Sequence, residues 1–216
     1  MMDVLKELDR AGAVLQDRHF VYTSGKHGSA YINMDPLFPN VGVVSQFADM
    51  LVKPFAGQVD TVIAPATGGI VLAVLAAQAL SREKYPVAAT WADKHDDAFI
   101  VERAGFAENL SGRRVLVVED LLNTGGSVEK VRREVERHSG QLVGVSVICN
   151  RGNLTADRLG VPRLEALASV NFEAIPADEC PLCASAVPIV EDISHGAEYR
   201  ATHPDYAGGY ITVISS

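Results

Sequence analysis

Short, uniformly apolar runs alternate with helical stretches through the middle of the chain, and this alternation constrains the fold more than any other feature. Residues 59–65 read as a buried strand. Residues 69–80, apolar on nearly every face, read as a helix covered on both sides. A second strand is predicted over 86–91, a third and clearest over 113–119, a fourth over 141–149 and a fifth over 164–170. Val128, Val131 and Val135 recur at spacings of three and four, which predicts an amphipathic helix over 127–138. Strands without a polar face need cover on both sides, and intervening helices supply it. The pattern therefore predicts an α/β fold, a doubly wound parallel sheet with its ligand at the carboxyl ends of the strands. The segments at about 1–39 and 171–216 fit the alternation less well. They are expected to form a small hood on a core of about 40–170, within one domain spanning 1–216.

The junction after the third strand carries the chemistry. There the chain reads Glu119, Asp120, Leu121, Leu122, Asn123, Thr124, Gly125, Gly126, Ser127, and then the helix. Glycines and small residues let backbone approach a phosphate, and a helix start supplies free N–H groups and a partial positive charge. Thr124 and Ser127 add hydroxyls. Glu119 and Asp120 do not suit a phosphate, but they suit adjacent hydroxyls such as those of a ribose. Carboxylates beside a phosphate cradle thus describe a 5-phosphoribosyl group. The string lacks the Walker spacing and lysine. It is not a dinucleotide fingerprint either, because its acids precede its glycines. Thr67, Gly68 and Gly69, between the first strand and its helix, offer a second cradle of the same kind.

Charge narrows the partners. The 19 Lys+Arg and 27 Asp+Glu give a net charge of −8, poor for nucleic-acid backbone but no obstacle to one small anion. The longest weakly polar run, 68–80, contains Gln78 and is too short to span a bilayer. Charge interrupts every apolar stretch near the N-terminus, so no signal peptide is expected. Three cysteines, an odd number, fit a reducing compartment. The expectation is a cytoplasmic protein with small-molecule partners, no nucleic acid and no membrane.

The 117–127 string resembles the phosphoribosyl-diphosphate (PRPP) signature of type I phosphoribosyltransferases, and the wider pattern is most similar to the orotate phosphoribosyltransferases. Four further segments carry the resemblance: an aromatic, Ser-Gly-Lys and Tyr stretch over 20–33, the loop 64–70, Asn150-Arg151, and Cys180-Pro181-Leu182-Cys183. It spans roughly residues 15–190. It implies displacement of pyrophosphate from C1 of PRPP by a nitrogen of orotate, giving orotidine 5′-monophosphate. It also implies magnesium bound mainly through PRPP, with no metal ligand assigned to the protein, and a homodimer. By resemblance, PRPP is bound by Glu119, Asp120, Asn123, Thr124, Gly125, Gly126, Ser127, Thr67, Gly68 and Gly69. Lys26 and Arg151 bind the base, and catalysis falls to Lys94, Lys26, Arg103 and Asp120.

The sequence also departs from that family. Asn123 replaces the usual Thr, and Asn150 the usual Asp. The 93–103 loop lacks the Lys-x-His-Gly core and carries Asp93, Asp96, Asp97 and Glu102. It reads equally as a charged hairpin or a closing lid. Two alternatives follow: a phosphoribosyltransferase for a different base, and a non-catalytic PRPP-binding regulator. Cys180 and Cys183 invite a zinc site with His195 and His203. The gaps of 11 and 7 residues match no zinc finger, so a buried, inert pair is expected. The tail 194–216 has no family counterpart and is expected to form an edge strand or a dimer arm.

Overall fold

In the computed structural model, which describes residues 2–81 and 86–213, the apolar runs become one six-stranded sheet. Its strands are β1 (Thr61–Pro65), β2 (Ala88–His95), β3 (Ala98–Ile100), β4 (Arg114–Leu122), β5 (Gln141–Asn150) and β6 (Leu164–Ser169). Their order is β6-β5-β4-β1-β2-β3. All neighbours pair in parallel except β2 and β3, an antiparallel hairpin at one edge. Helices α1 (Val41–Val52), α2 (Gly69–Ser81) and α3 (Gly126–Arg137) complete the layers.

Every residue of β1 is buried, so consecutive side chains must find cover on opposite faces. Ile63 joins Val117, Val147, Val128, Val131 and Val135 in the cluster against α3. Its neighbour Ala64 meets α2 so closely that a Cβ on Gly69 would lie 2.6 Å from the Ala64 Cβ. On β5, Val145 and Val147 face α3's cluster while the Ser146 hydroxyl donates to the Leu51 carbonyl of α1 at 2.8 Å. The sheet is covered on both faces, as its apolar strands require.

Two details differ from the sequence pattern. The expected full covering of α2 is not met. Its Leu72, Ala73, Ala76, Ala77 and Leu80 are buried, but Val71 and Val74 remain 44 % and 47 % exposed. The strand predicted over 86–91 runs instead to His95, because β3 pairs with its polar end: Asp93 opposite Ile100, Lys94 opposite Phe99, His95 opposite Ala98.

The chain forms two compact units. Met34–Asn171, with the residues up to Glu7, contains the sheet. Leu8–Asn33 and the residues from Phe172 onward gather into the other. Strands in this second unit are only two residues long. Val14–Leu15 pairs with Tyr31–Ile32, Phe20–Val21 with His27–Gly28, and Ile189–Val190 with Tyr210–Ile211. Phe20, Tyr22, Val190 and Ile193 pack in a buried cluster there, and Leu8, Ile32 and Ile189 are buried as well. The tail thus contributes a strand at Tyr210–Ile211, and its last three residues lie outside those described.

Candidate active site

The sheet reverses its winding direction between β1 and β4, which are neighbours in space though not in sequence. Loops diverge at such a point and leave a crevice at the carboxyl ends of the two strands. The two glycine-containing turns expected to bind phosphates both emerge there. After β1 the chain passes through the cis Ala66–Thr67 peptide and Gly68 into α2. After β4 it passes through Asn123, Thr124 and Gly125 into α3. The first loop approaches the end of β4 closely: a Cβ on Gly68 would lie 3.1 Å from Asp120 Oδ2. Any side chain at 68 would press on that carboxylate.

Gly125 precedes α3 with φ +83°, a conformation that glycine adopts without strain. A Cβ there would also overlap the Leu159 side chain. The N-cap, Gly125, has no side chain to close the helix start. The Gly126 N–H makes a long contact of 3.4 Å to Thr124 Oγ1. Glu119, Leu122 and the turn residues through Val128 line a hollow of about 70 Å³ over this helix start. Open N–H donors, two hydroxyls and a glycine turn give an anion site without any cation.

Glu119 is buried and Asp120 half-buried at the end of β4. The Asp120 N–H donates to Glu119 Oε1 at 3.2 Å, and the Leu121 N–H to Asp120 Oδ1 at 2.6 Å. Burial pushes the Glu119 carboxyl well above its usual range, and the adjacent Asp120 charge adds to the shift. Burial also pushes Asp120 up. Buried carboxylates so placed gain from further hydrogen-bond donors, which sugar hydroxyls supply.

The end of β5 backs the turn. The Arg151 and Gly152 N–H groups both donate to the Leu122 carbonyl, at 2.8 and 3.0 Å. Asn150 is buried, its amide donating to the Leu154 carbonyl at 2.8 Å while its Oδ1 accepts the Leu154 N–H at 3.1 Å. An aspartate cannot donate to that carbonyl. The departure at 150 therefore has a structural reason: it closes the loop that carries Arg151.

The segment 93–103 is a hairpin rooted in the core. Phe99 and Val101 are buried in the α3 cluster, and Asp96 turns the tip at φ +49°. Arg103 grips Asp93 with two bonds, 2.9 and 3.2 Å, and lies over the Trp91 ring at 5.2 Å. Lys94 is exposed. Glu134 of α3 anchors the chain just past β3. Its Oε1 accepts the Val101 N–H at 2.7 Å, and Arg137 and His138 complete its partners. Burial opposes ionisation of Glu134, but these donors outweigh it and hold its pKa below the usual value. Stability from this carboxylate is therefore present above the unfolded-state pKa of about 4.3 and is lost as pH falls through the lower folded value. Glu134→Ala leaves the buried Val101 N–H unpaired. It is expected to cost about 1–3 kcal/mol at pH 7, read as a lower melting temperature, with the difference from the parent shrinking below pH 4.

The sheet unit thus gathers Thr67, Gly68, Gly69, Glu119, Asp120, Asn123–Ser127 and Arg151 around one end of the sheet, with Lys94 and Arg103 on the edge hairpin. Lys26 belongs to the second unit, exposed on the turn between Phe20–Val21 and His27–Gly28. Gly152 and Glu134 carry no signal in the sequence, whereas the role of Asp93 is foreshadowed only by its opposite charge to Arg103 within one hairpin.

A phosphoribosyl transferase domain model matches residues 42–179. The orotate phosphoribosyltransferase of Caldanaerobacter subterraneus subsp. tengcongensis is 34 % identical over 192 residues, covering 88 % of this chain and 94 % of that one. That of Thermus thermophilus is 37 % identical over 191 residues, covering 88 % and 100 %. The crystal structure of orotate phosphoribosyltransferase from Aeropyrum pernix superposes with a TM-score of 0.59 at 24 % identity, covering 77 % and 94 %. Extended similarity of this kind, over a sheet whose switch point carries the PRPP signature, places the chain in the phosphoribosyltransferases: it is a PRPP-dependent enzyme and belongs to the orotate phosphoribosyltransferase family.

Proposed function

We propose that this chain transfers the 5-phosphoribosyl group of PRPP to orotate, giving orotidine 5′-monophosphate and pyrophosphate. The observation that carries the reading is the pairing of the Glu119-Asp120 carboxylates with the uncapped start of α3. In this account the α3 turn, Asn123 to Ser127, holds the 5-phosphate through N–H and hydroxyl donors. Glu119 and Asp120 accept from the ribose hydroxyls. Thr67, Gly68 and Gly69 hold the pyrophosphate, the group on which charge grows as the C1–O bond breaks and the C1–N bond forms. Most of the rate gain then comes from positioning and from stabilising that charge.

Magnesium enters with PRPP. The two carboxylates offer hard oxygen donors whose burial makes their charge costly, so a cation relieves them. When bound, it neutralises part of the charge on the leaving group. Lys26, Lys94 and Arg103 are the cations assigned to the pyrophosphate. Arg103 acts there by exchanging Asp93 for a phosphate oxygen. Arg151 is assigned to the orotate carboxylate, whose planar geometry a guanidinium matches with two bonds. The open Val71 and Val74 face of α2 supports a homodimer. Among the described residues no helix is long and apolar enough to cross a membrane, and the reading includes a cytoplasmic location.

Arg151→Lys tests the base assignment. It keeps the charge but loses the fork. The KM for orotate is expected to rise about tenfold or more while the KM for PRPP holds. Equal rises in both would show Arg151 serving the phosphate turn instead.

A further inference from the structure

The second unit carries a cluster that PRPP chemistry does not use. His19 precedes the first strand of one hairpin and His27 opens its second, and Cys180 and Cys183 bracket the start of the short helix Pro181–Ala184. His19 Nε2 lies 2.9 Å from His27 Nδ1. Cys183 Sγ is 3.2 Å from His27 Nδ1 and 3.7 Å from His19 Nε2, and Cys180 Sγ is also 3.7 Å from His19 Nε2. All four atoms fall within 4.8 Å of one another, and three of the four residues are buried. Zinc–nitrogen and zinc–sulfur bonds of about 2.0–2.3 Å in a tetrahedron put ligand atoms roughly 3.3–3.8 Å apart. The measured spacings straddle that range.

The surroundings fix one ligand's proton. His19 Nδ1 lies 2.9 Å from the Val187 carbonyl, which only accepts, so Nδ1 carries the hydrogen and the Nε2 lone pair faces the cluster. Val187 also accepts from the Tyr206 hydroxyl at 2.8 Å. A carbonyl-held imidazole of this kind is the usual outer support of a zinc ligand. His195 and His203, the histidines suggested by sequence proximity, are engaged elsewhere. His195 Nε2 meets Thr23 Oγ1 at 3.0 Å, and His203 stacks on Tyr199 at 4.1 Å.

We propose that His19, His27, Cys180 and Cys183 form a closed, structural Cys2His2 zinc site. Four protein ligands leave no open position, so the ion holds the fold and takes no part in the reaction. The unit gains from such a staple because its paired strands are only two residues long. The site joins segments separated by 161 residues between His19 and Cys180. Because His27 follows Lys26 directly, the ion also fixes the hairpin that presents Lys26.

The test uses the full chain, expressed with zinc, purified under reducing conditions without chelator and analysed for metal. About one zinc per chain is expected, falling at least tenfold in Cys180→Ser/Cys183→Ser. Replacing zinc with Co(II) should give the intense visible bands of tetrahedral cobalt and a thiolate charge-transfer band. Should the serine variant fail to fold, His19→Cys serves instead, retaining the metal and strengthening the charge-transfer band. Two results would overturn the proposal. One is metal-free reduced protein that does not bind added zinc chloride. The other is zinc that persists undiminished in the double serine variant.

Discussion

Asp120→Asn is expected to weaken PRPP binding and turnover roughly 30- to 150-fold while raising the melting temperature of the ligand-free protein at pH 7–8. The functional loss follows from removing a charged acceptor, worth about 2–3 kcal/mol for hydrogen bonds to an ionised group. The stability gain follows from linkage. Burial raises the folded-state pKa of Asp120, so the folded chain holds its proton to higher pH than the unfolded chain. The stability tied to that proton is present below the unfolded pKa, near 4. It is lost as pH rises from there towards the raised folded value, and it stays lost at neutral pH. Asparagine removes this cost yet still accepts the Leu121 N–H that Asp120 Oδ1 accepts at 2.6 Å. Each ~1 kcal/mol regained lifts the melting temperature of a chain this size by roughly 2–4 °C. Thermal melts across pH 4–8, paired with PRPP titration, check both halves. A variant that melts lower and binds normally would assign Asp120 to the fold alone.

Gly152→Ala is expected to damage fold and site together. A Cβ at 152 would overlap the Asn123 carbonyl oxygen and sit 2.8 Å from its carbon. Those are backbone atoms, and no rotamer change relieves them. Gly152 is also bonded through its N–H to Leu122, so it cannot retreat without giving up that contact. The phosphate turn that begins at Asn123 must shift. The cost is about 2–4 kcal/mol, a fall in melting temperature of roughly 5–15 °C. The surviving folded protein should show a raised Kd for PRPP. Gly42→Ala is the control. Its Cβ would meet only Asn40 Oδ1, at an ordinary 3.7 Å, and a helical alanine is favoured over glycine. It should melt at or slightly above the parent and bind PRPP normally.

Features encoded locally were legible in the sequence. Apolar runs long enough to be buried on both faces became β1, β4 and β5, the half-buried run at 164–169 became the edge strand β6, and the valine stripe became the buried face of α3. The acids and glycines after β4 read as a site because strand, turn and helix start are contiguous. Features encoded by which particular groups meet, rather than by residue type along the chain, were not. Asp93, Lys94 and His95 have a loop's polarity, and only their pairing with Ala98–Ile100 makes them a strand. Asn150 reads as a lost acid until Leu154 is seen to need both a donor and an acceptor. The cysteine pair could be found in the sequence, but its histidines lie at the other end of the chain, where spacing carries no signal.

Turnover measures the proposed reaction itself. Purified protein with magnesium, PRPP and orotate is expected to consume orotate and release pyrophosphate in equal amounts. Adenine, guanine, hypoxanthine and uracil, offered in its place, should go unused. Turnover of one of those bases with orotate untouched would contradict the claim, as would PRPP binding without turnover of any base.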